Sequence, residues 1–387
     1  MSGDRARSVE RSDVARHKKG RDRDAPWPLC SPSAVLEDGQ LLPLSAYSHP
    51  VNGAKSAPRP AEGLQMSQGM FHTPALVDEV LAILAEAPPG VIVDATVGGG
   101  GHAAAILEAR ADVVVFGIDQ DQEALDAAAQ RLAPYGGRAI LRHARFDDLR
   151  PTILAAVPAE MAHHGVSAVL FDLGVSSHQL DDPGRGFSYR FSGPLDMRMD
   201  RGAPTTAADL VNSAEQQSLE RLFSDQGEER FARRFAKAII AARPIQSTAE
   251  LADVVARAIP ASARRRGHPA RRIFQALRIA VNDELETLAF AIDEAFDLVV
   301  PSGRIVVLSY HSGEDRIVKE RFRSWATGGC TCPPELPCVC GARPMARLLT
   351  RGAVRATKDE IFRNPRAREA RLRAIERLAA PTDREQN

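Results

Sequence analysis

The sequence is poor in four things, and each shortage removes a class of protein. It contains no apolar run approaching the roughly 18 residues a membrane helix needs, so nothing is expected to span a bilayer. The N-terminus carries arginines but no apolar export core, which points to a cytoplasmic protein. Aromatic residues are only 5% of the chain, too few for a long platform on which single-stranded nucleic acid could stack. Five cysteines in 387 residues do not make a disulfide scaffold, and in the cytoplasm they stay reduced. Net charge is zero, but it is unevenly spread. Arg343–Arg373 holds ten Lys or Arg against three acids, and Arg264–Arg278 holds six arginines and no acid. Such patches on a neutral protein suit a polyanionic partner, with solvated helix faces as the alternative.

What is present centres on Val91–His102, VIVDATVGGGGH. Val91-Ile92-Val93 reads as a buried strand ending at Asp94. Gly98 to Gly101 then lead into the helix former AAAILEA. Strand, glycine turn and helix let a backbone approach a ligand closely, with the first helical N–H groups facing it. Gly98, Gly100 and Ala103 also satisfy G-x-G-x-x-[GA], so a dinucleotide-dependent oxidoreductase has to be weighed. The second strand, Val113–Ile118, ends in Asp119, where a carboxylate can take ribose hydroxyls. Asp94, just before the glycines, would repel a pyrophosphate but suits S-adenosylmethionine (SAM), whose ammonium and sulfonium are cationic.

Along the chain, residues 1–69 are rich in Pro, Gly, Ser and Arg without apolar periodicity and are expected to be a disordered extension. Met66 and Met70 stand just before the patterned region, so the true start is open. Thr73 and Pro74 look like the cap and first turn of a helix. Asp121–Ala133 reads as a helix, Arg138–Ala144 as a third strand, Val166–Gly174 as a fourth. A long polar, glycine-rich stretch after Asp172 is where substrate chemistry belongs. Helices at 208–222, 228–242 and 248–259, with no strand between them, mark an all-helical insertion at 181–268. The α/β pattern resumes with one long helix over 272–298, a fifth strand at 303–310 and a helix at 314–326. The chain then divides into 1–69, 70–180, 181–268 and 269–387, the last carrying a basic C-terminal segment.

These residues closely resemble one family, the bacterial 16S rRNA cytosine-N4 methyltransferases that act at the ribosomal decoding centre. The resemblance covers Phe71 to about Arg377. It rests on the ordered blocks HTPALVDEV, DATVGGGGH, FDLGVSSHQLDDPGRGFSYRFSGPLDMRMD, HPARRIFQALRIAVNDEL, SYHSGEDRIVK and NPRAREARLRAIER. It implies a class I Rossmann-like SAM methyltransferase sheet with a helical substrate-side insertion. Carried over by motif, SAM contacts fall on Gly100, Gly101, His102, Asp119, Phe146, Asp172 and Gln179. The family usually has Leu where this chain has Gly313, which would loosen the turn from strand to helix. The implied partner is 16S rRNA within the small ribosomal subunit, bound by a monomer or homodimer.

Methyl transfer to an exocyclic amine needs mainly in-line positioning plus an acceptor for the amine hydrogens. Asp172, Ser176 (or Ser177) and His311 are the candidates, His311 equally readable as a structural histidine. Asp147 is a candidate acceptor for an adenine amine, and Phe187, Tyr189 or Phe191 for flanking one extruded base. Carbon-5 methylation would require a cysteine nucleophile near the fourth strand, and Val166–Asp182 has none. Arg264, Arg265, Arg266, Arg271 and Arg272, with Arg363, Arg366 and Arg368, are the expected RNA contacts. Cys330, Cys332, Cys338 and Cys340 could hold a structural zinc, although C-x-C pairs are tighter than usual, and plain surface thiols are the alternative. The rival functions are the oxidoreductase above and a non-catalytic assembly factor keeping the fold.

Overall fold

The computed structural model describes residues 74–156, 165–228, 230–260, 268–333 and 339–379. The extension, Thr73, Arg264, Arg265, Arg266 and Cys338 lie outside the described residues, as does the side chain of Ser177.

After helix α1 (Val77–Leu84), strands and helices alternate: β1 (Gly90–Asp94), α2 (Gly101–Ala109), β2 (Val113–Asp119), α3 (Gln122–Leu132), β3 (Ala139–His143), α4 (Leu149–Ala156) and β4 (Val166–Asp172). The short α5 (Ser177–Asp181) follows, then four helices without strands: α6 (Ala207–Ser213), α7 (Gln216–Phe223), α8 (Ala232–Ala242) and α9 (Thr248–Ala258). Next come α10 (Ala270–Asn282), α11 (Glu284–Leu298), β5 (Val299–Ser309), α12 (Ser312–Thr327), β6 (Ala346–Leu348), α13 (Lys358–Arg363) and β7 (Arg371–Arg377). The sheet order is β3-β2-β1-β4-β5-β7-β6. The five strands from β3 to β5 are parallel, and β7 runs antiparallel to both β5 and β6. This is the Rossmann-like methyltransferase sheet that the resemblance implies.

Strand alternation explains the two-faced burial. Val91 and Val93 of β1 point into one core with α4, α11 and α12, while Ile92 points into the other with α1, α2 and α3. A third core gathers residues from Phe187 to Leu277, and therefore includes the first half of α10. Turns and helices of the inserted stretch thus bury their apolar faces against one another rather than against the sheet.

Several expected elements differ. The helix expected over 272–298 is two helices, broken where Asp283 adopts φ 51° and ψ 34°. No Gly or Pro marks this break, so local propensity could not signal it. The stretch 208–222 is also divided, at Ala214–Glu215. The helix expected from 228 begins at Ala232, and the fifth strand begins at Val299 rather than Gly303. Pro74 does not open α1. That helix starts at Val77 behind Leu76, whose N–H donates to Glu360 Oε1 at 2.7 Å. β7 was not expected, because its arginines hide a strand in which Leu372, Ala374 and Ile375 are buried.

The break at Asp283 positions Asn282 to staple the loop that carries Met197 and Met199. Its amide donates to the Met197 and Arg278 carbonyls, at 2.8 and 2.9 Å, and its oxygen accepts from the Met199 N–H at 2.8 Å. Met197 itself has φ 59°. Gly186 permits the loop to cross itself, since a Cβ there would lie 2.2 Å from the Pro194 carbonyl oxygen. Asn282→Ala orphans buried backbone groups and is expected to destabilise the protein by about 2–4 kcal/mol. Urea unfolding should show a lower midpoint with unchanged slope.

Candidate active site

The C-terminal ends of parallel strands in an open α/β sheet face a crevice where ligands bind. Here that crevice is a cavity of about 850 Å³ between the sheet edge and the helical insertion. Three strands deliver a carboxylate into it: Asp94 from β1, Asp119 from β2 and Asp172 from β4.

Local backbone holds the carboxylates of Asp94 and Asp119, and a tyrosine hydroxyl holds that of Asp172. Asp94 Oδ1 accepts from the Thr96 N–H at 3.3 Å, and Thr96 Oγ1 accepts from the Asp172 N–H at 2.6 Å. Asp119 accepts from the N–H groups of Gly98 and Asp121, at 2.8 and 2.9 Å. Asp172 accepts from the Tyr310 hydroxyl at 2.7 Å, with His102 Nε2 at 3.9 Å from its other oxygen. Burial, with Asp172 and Asp119 nearby, pushes Asp94 up to about 8. Burial raises Asp119 and Asp172 to about 6 each, against the hydrogen bonds that favour their ionised forms. His102 is 4% exposed, lowered to about 4 by burial and so neutral, and neither ring nitrogen has a hydrogen-bond partner among the described residues. The site is a cluster of three acids, Asp94 buried and Asp119 and Asp172 part-buried at the cavity.

The glycines divide their work. Gly98 has φ 50° and little around its missing Cβ, and its N–H is already given to Asp119. Gly100 (φ 75°) packs instead on α3: a Cβ there would lie 3.3 Å from Ala128 Cα and from Leu132 Cγ. One at Gly101 would lie 2.9 Å from Pro74 Cγ. These two admit neighbouring protein, while α2 begins without a side-chain cap and its first residues, Gly101 and His102, line the cavity.

Other expected residues are at the cavity but committed to structure. Ser176 Oγ caps α5 by accepting from the Gln179 N–H at 3.2 Å. Gln179 returns the bond through Oε1 to the Ser176 N–H, and its amide donates to Asp121 Oδ2 at 2.7 Å. His311 Nδ1 accepts from the Gly313 and Glu314 N–H groups, which places its proton on Nε2, 3.0 Å from Glu314 Oε1. That cap closes the turn despite Gly313, where a Cβ would lie 3.1 Å from the His311 ring. Burial would raise Glu314, but His311, Arg278 and the Tyr310 N–H outweigh it and hold it low. Phe146 lines the cavity, edge-on to Phe171 at 6.2 Å. Asp147 turns to Arg145 Nε at 3.1 Å and is outside the lining.

On the insertion side of the cavity, Phe187 is buried, Tyr189 stacks on His268 at 4.7 Å, and Phe191 is exposed. Arg271, Arg366 and Arg368 line the cavity, with Arg366 Nη2 2.9 Å from both Asp181 oxygens and Arg271 3.8 Å from Glu369. Arg272 is exposed on the same helix but outside the lining.

Sequence patterns did not single out Tyr310, Arg185 or the Arg278–Glu284 pair. Arg185 is 1% exposed and ties Asp121 (2.8 Å) and Glu123 (3.0 Å) to the Arg198 and Met199 carbonyls. Arg278 and Glu284 form two 2.8 Å bonds across the break at Asp283.

A family model described as the MraW methylase family matches residues 69–378, four-fifths of the chain. The chain belongs to the MraW methylase family. Three relatives carry the name ribosomal RNA small subunit methyltransferase H. That of Symbiobacterium thermophilum is 50% identical over 315 residues, 80% of this chain and 97% of the relative. That of Syntrophobacter fumaroxidans is 49% identical over 327 residues, 82% and 100% of the two chains. That of Geobacter sulfurreducens is 50% identical over 313 residues, 79% and 99%. The match reaches from just before α1 to the end of β7, so the sheet, the insertion and the C-terminal strands all belong to the MraW-family unit. Among the described residues, no helix is long and apolar enough to cross a membrane.

The raised carboxylates make ligand-free stability depend on pH. Between the usual carboxylate range and these raised values the folded state keeps protons that the unfolded chain has released. Stability from this source is greatest near pH 4 and falls as pH rises through 6 and on to 8. Asp94→Asn is expected to melt higher than the parent at pH 8, with the gap narrowing toward pH 4. Equal gaps at both ends of a scanning-fluorimetry series would contradict the assignment.

Proposed function

We propose that this chain methylates N4 of a cytosine in the decoding centre of 16S rRNA, within the small ribosomal subunit, using SAM. The observation that carries this is the convergence of Asp94, Asp119 and Asp172 on one cavity with, among the described residues, no Lys or Arg bonded to any of them. A dinucleotide pyrophosphate would meet like charge there, and the Gly98 N–H that might bind it is taken by Asp119. The fit to SAM is chemical: an acid cluster for an ammonium and a sulfonium, a carboxylate at the β2 end for ribose hydroxyls, and Phe146 beside them for an adenine face. Gly101 and His102 bound the methionine end, Gly100 acts by letting the turn pack on α3, and Gln179 acts by holding Asp121 and α5 in place.

When bound, SAM supplies a methyl group already activated on a sulfonium, so the chain's task is orientation. Asp172 is the preferred acceptor for an N4 hydrogen. Tyr310 orients it, and with a value near 6 it is ionised at neutral pH. His311 and Ser176 serve better as helix caps than as bases, because their lone pairs already receive backbone N–H groups. We place base recognition on the 181–268 insertion, with Tyr189 and Phe191 as the faces for an extruded cytosine. Arg271, Arg272, Arg366 and Arg368 take flanking phosphates, together with Arg264, Arg265 and Arg266. Such a protein works in the cytoplasm.

Two measurements test this reading. Labelled SAM incubated with small subunits lacking the modification should yield labelled N4-methylcytidine, reduced at least about 100-fold by Asp172→Ala. Label on another base would overturn the specificity. SAM binding without transfer would favour the assembly-factor reading. Separately, Arg271→Glu with Arg368→Glu should weaken subunit binding and lower its salt slope by about one unit per residue, read by filter binding across a salt series.

A further inference from the structure

Helix α12 ends at Gly328, in the left-handed conformation with φ 63°. The chain returns to the same point at Arg343: a Cβ on Gly328 would lie 2.1 Å from the Arg343 carbonyl oxygen. The Met345 N–H then donates to the Trp325 carbonyl at 2.8 Å. The excursion between Gly328 and Arg343 is therefore pinched shut at its base. None of its described residues is buried, and Val339 is 89% exposed. Apolar burial does not order this loop, and ordering each residue costs about 1–2 kcal/mol.

Its cysteines nevertheless converge. Cys330 and Cys340, from opposite arms, have Sγ atoms 3.5 Å apart, and Cys332 joins them with all three sulfurs within 4.8 Å of one another. That spacing is far longer than a disulfide bond of about 2.05 Å. It is close to the sulfur–sulfur edge of about 3.8 Å that metal–sulfur bonds of about 2.3 Å give in a tetrahedron. Cys338 lies outside the described residues. The narrow C-x-C spacing is no obstacle, because the convergence runs between the two arms.

We propose that Cys330, Cys332 and Cys340 bind a zinc ion that joins the two arms. A cluster of soft thiolates suits zinc, which brings no redox chemistry and no geometric demand of its own. The 16 residues of α12 span about 24 Å and separate the loop from His311 at the cavity. The ion is structural: it fastens the entry into β6 and leaves the cavity untouched.

Full-length protein purified without chelator, then analysed by elemental mass spectrometry, tests this directly. The expected result is about one zinc per chain, released when a mercurial titrates the thiols. Zinc should be lost from the Cys330→Ser, Cys340→Ser double variant while its circular-dichroism spectrum and SAM binding persist. Wild-type protein without zinc, with iron in its place, or two hydrogens lighter in intact mass through a Cys330–Cys340 disulfide, overturns the proposal. The wild-type metal content stands whether or not the variant folds.

Discussion

Like charges brought together out of water are the constraint on which this structure turns. Asp94, Asp119 and Asp172 come from three strands, and loss of water around them raises all three; Asp94, with Asp172 and Asp119 beside it, is pushed furthest and holds its proton at neutral pH. Gathering acids in this way is unfavourable to the empty fold and survives because the surrounding structure over-determines it. Thr96 ties the Asp94 turn to β4, the Gly98 turn is tied to Asp119, and Tyr310 ties β5 to Asp172. A ligand with two positive centres relieves what the protein has stored.

The second layer of organisation is polar stapling of the helical insertion onto that edge. Arg185 inserts a buried guanidinium between the start of α3 and the Arg198–Met199 backbone. Asn282 fixes the same loop from below, and the Arg278–Glu284 pair bridges the kink between α10 and α11. Burial raises Glu284, with Arg278 opposing it, so this pair specifies a geometry more than it adds stability. The insertion keeps its own apolar core, and these few contacts set how it faces the cavity.

Much of the sheet could be read from the sequence, because buried parallel strands are short β-branched runs and β1, β2 and β4 each end in an acid. The Asp94, Asp119 and Asp172 positions were legible for that reason. The break at Asp283 was not, since a non-glycine residue in a left-handed conformation leaves no local mark. β7 was hidden by alternating arginines that pair with Asp315 and with backbone carbonyls rather than facing solvent. Gln179 and His311 stood out as motif residues, and the structure shows what a motif conceals: Ser176-x-x-Gln179 and His311-x-x-Glu314 are both capping boxes. Arg185 gave no signal, as its partners lie on another element.

If the acid cluster is the seat of a cationic methyl donor, binding must expel protons. Calorimetry of SAM binding near pH 6.5 in two buffers of different ionisation enthalpy reads that number directly. The account predicts net proton release that disappears above pH 9 and is sharply reduced in Asp94→Asn. Binding without proton release, or release unaffected by Asp94→Asn, would contradict it.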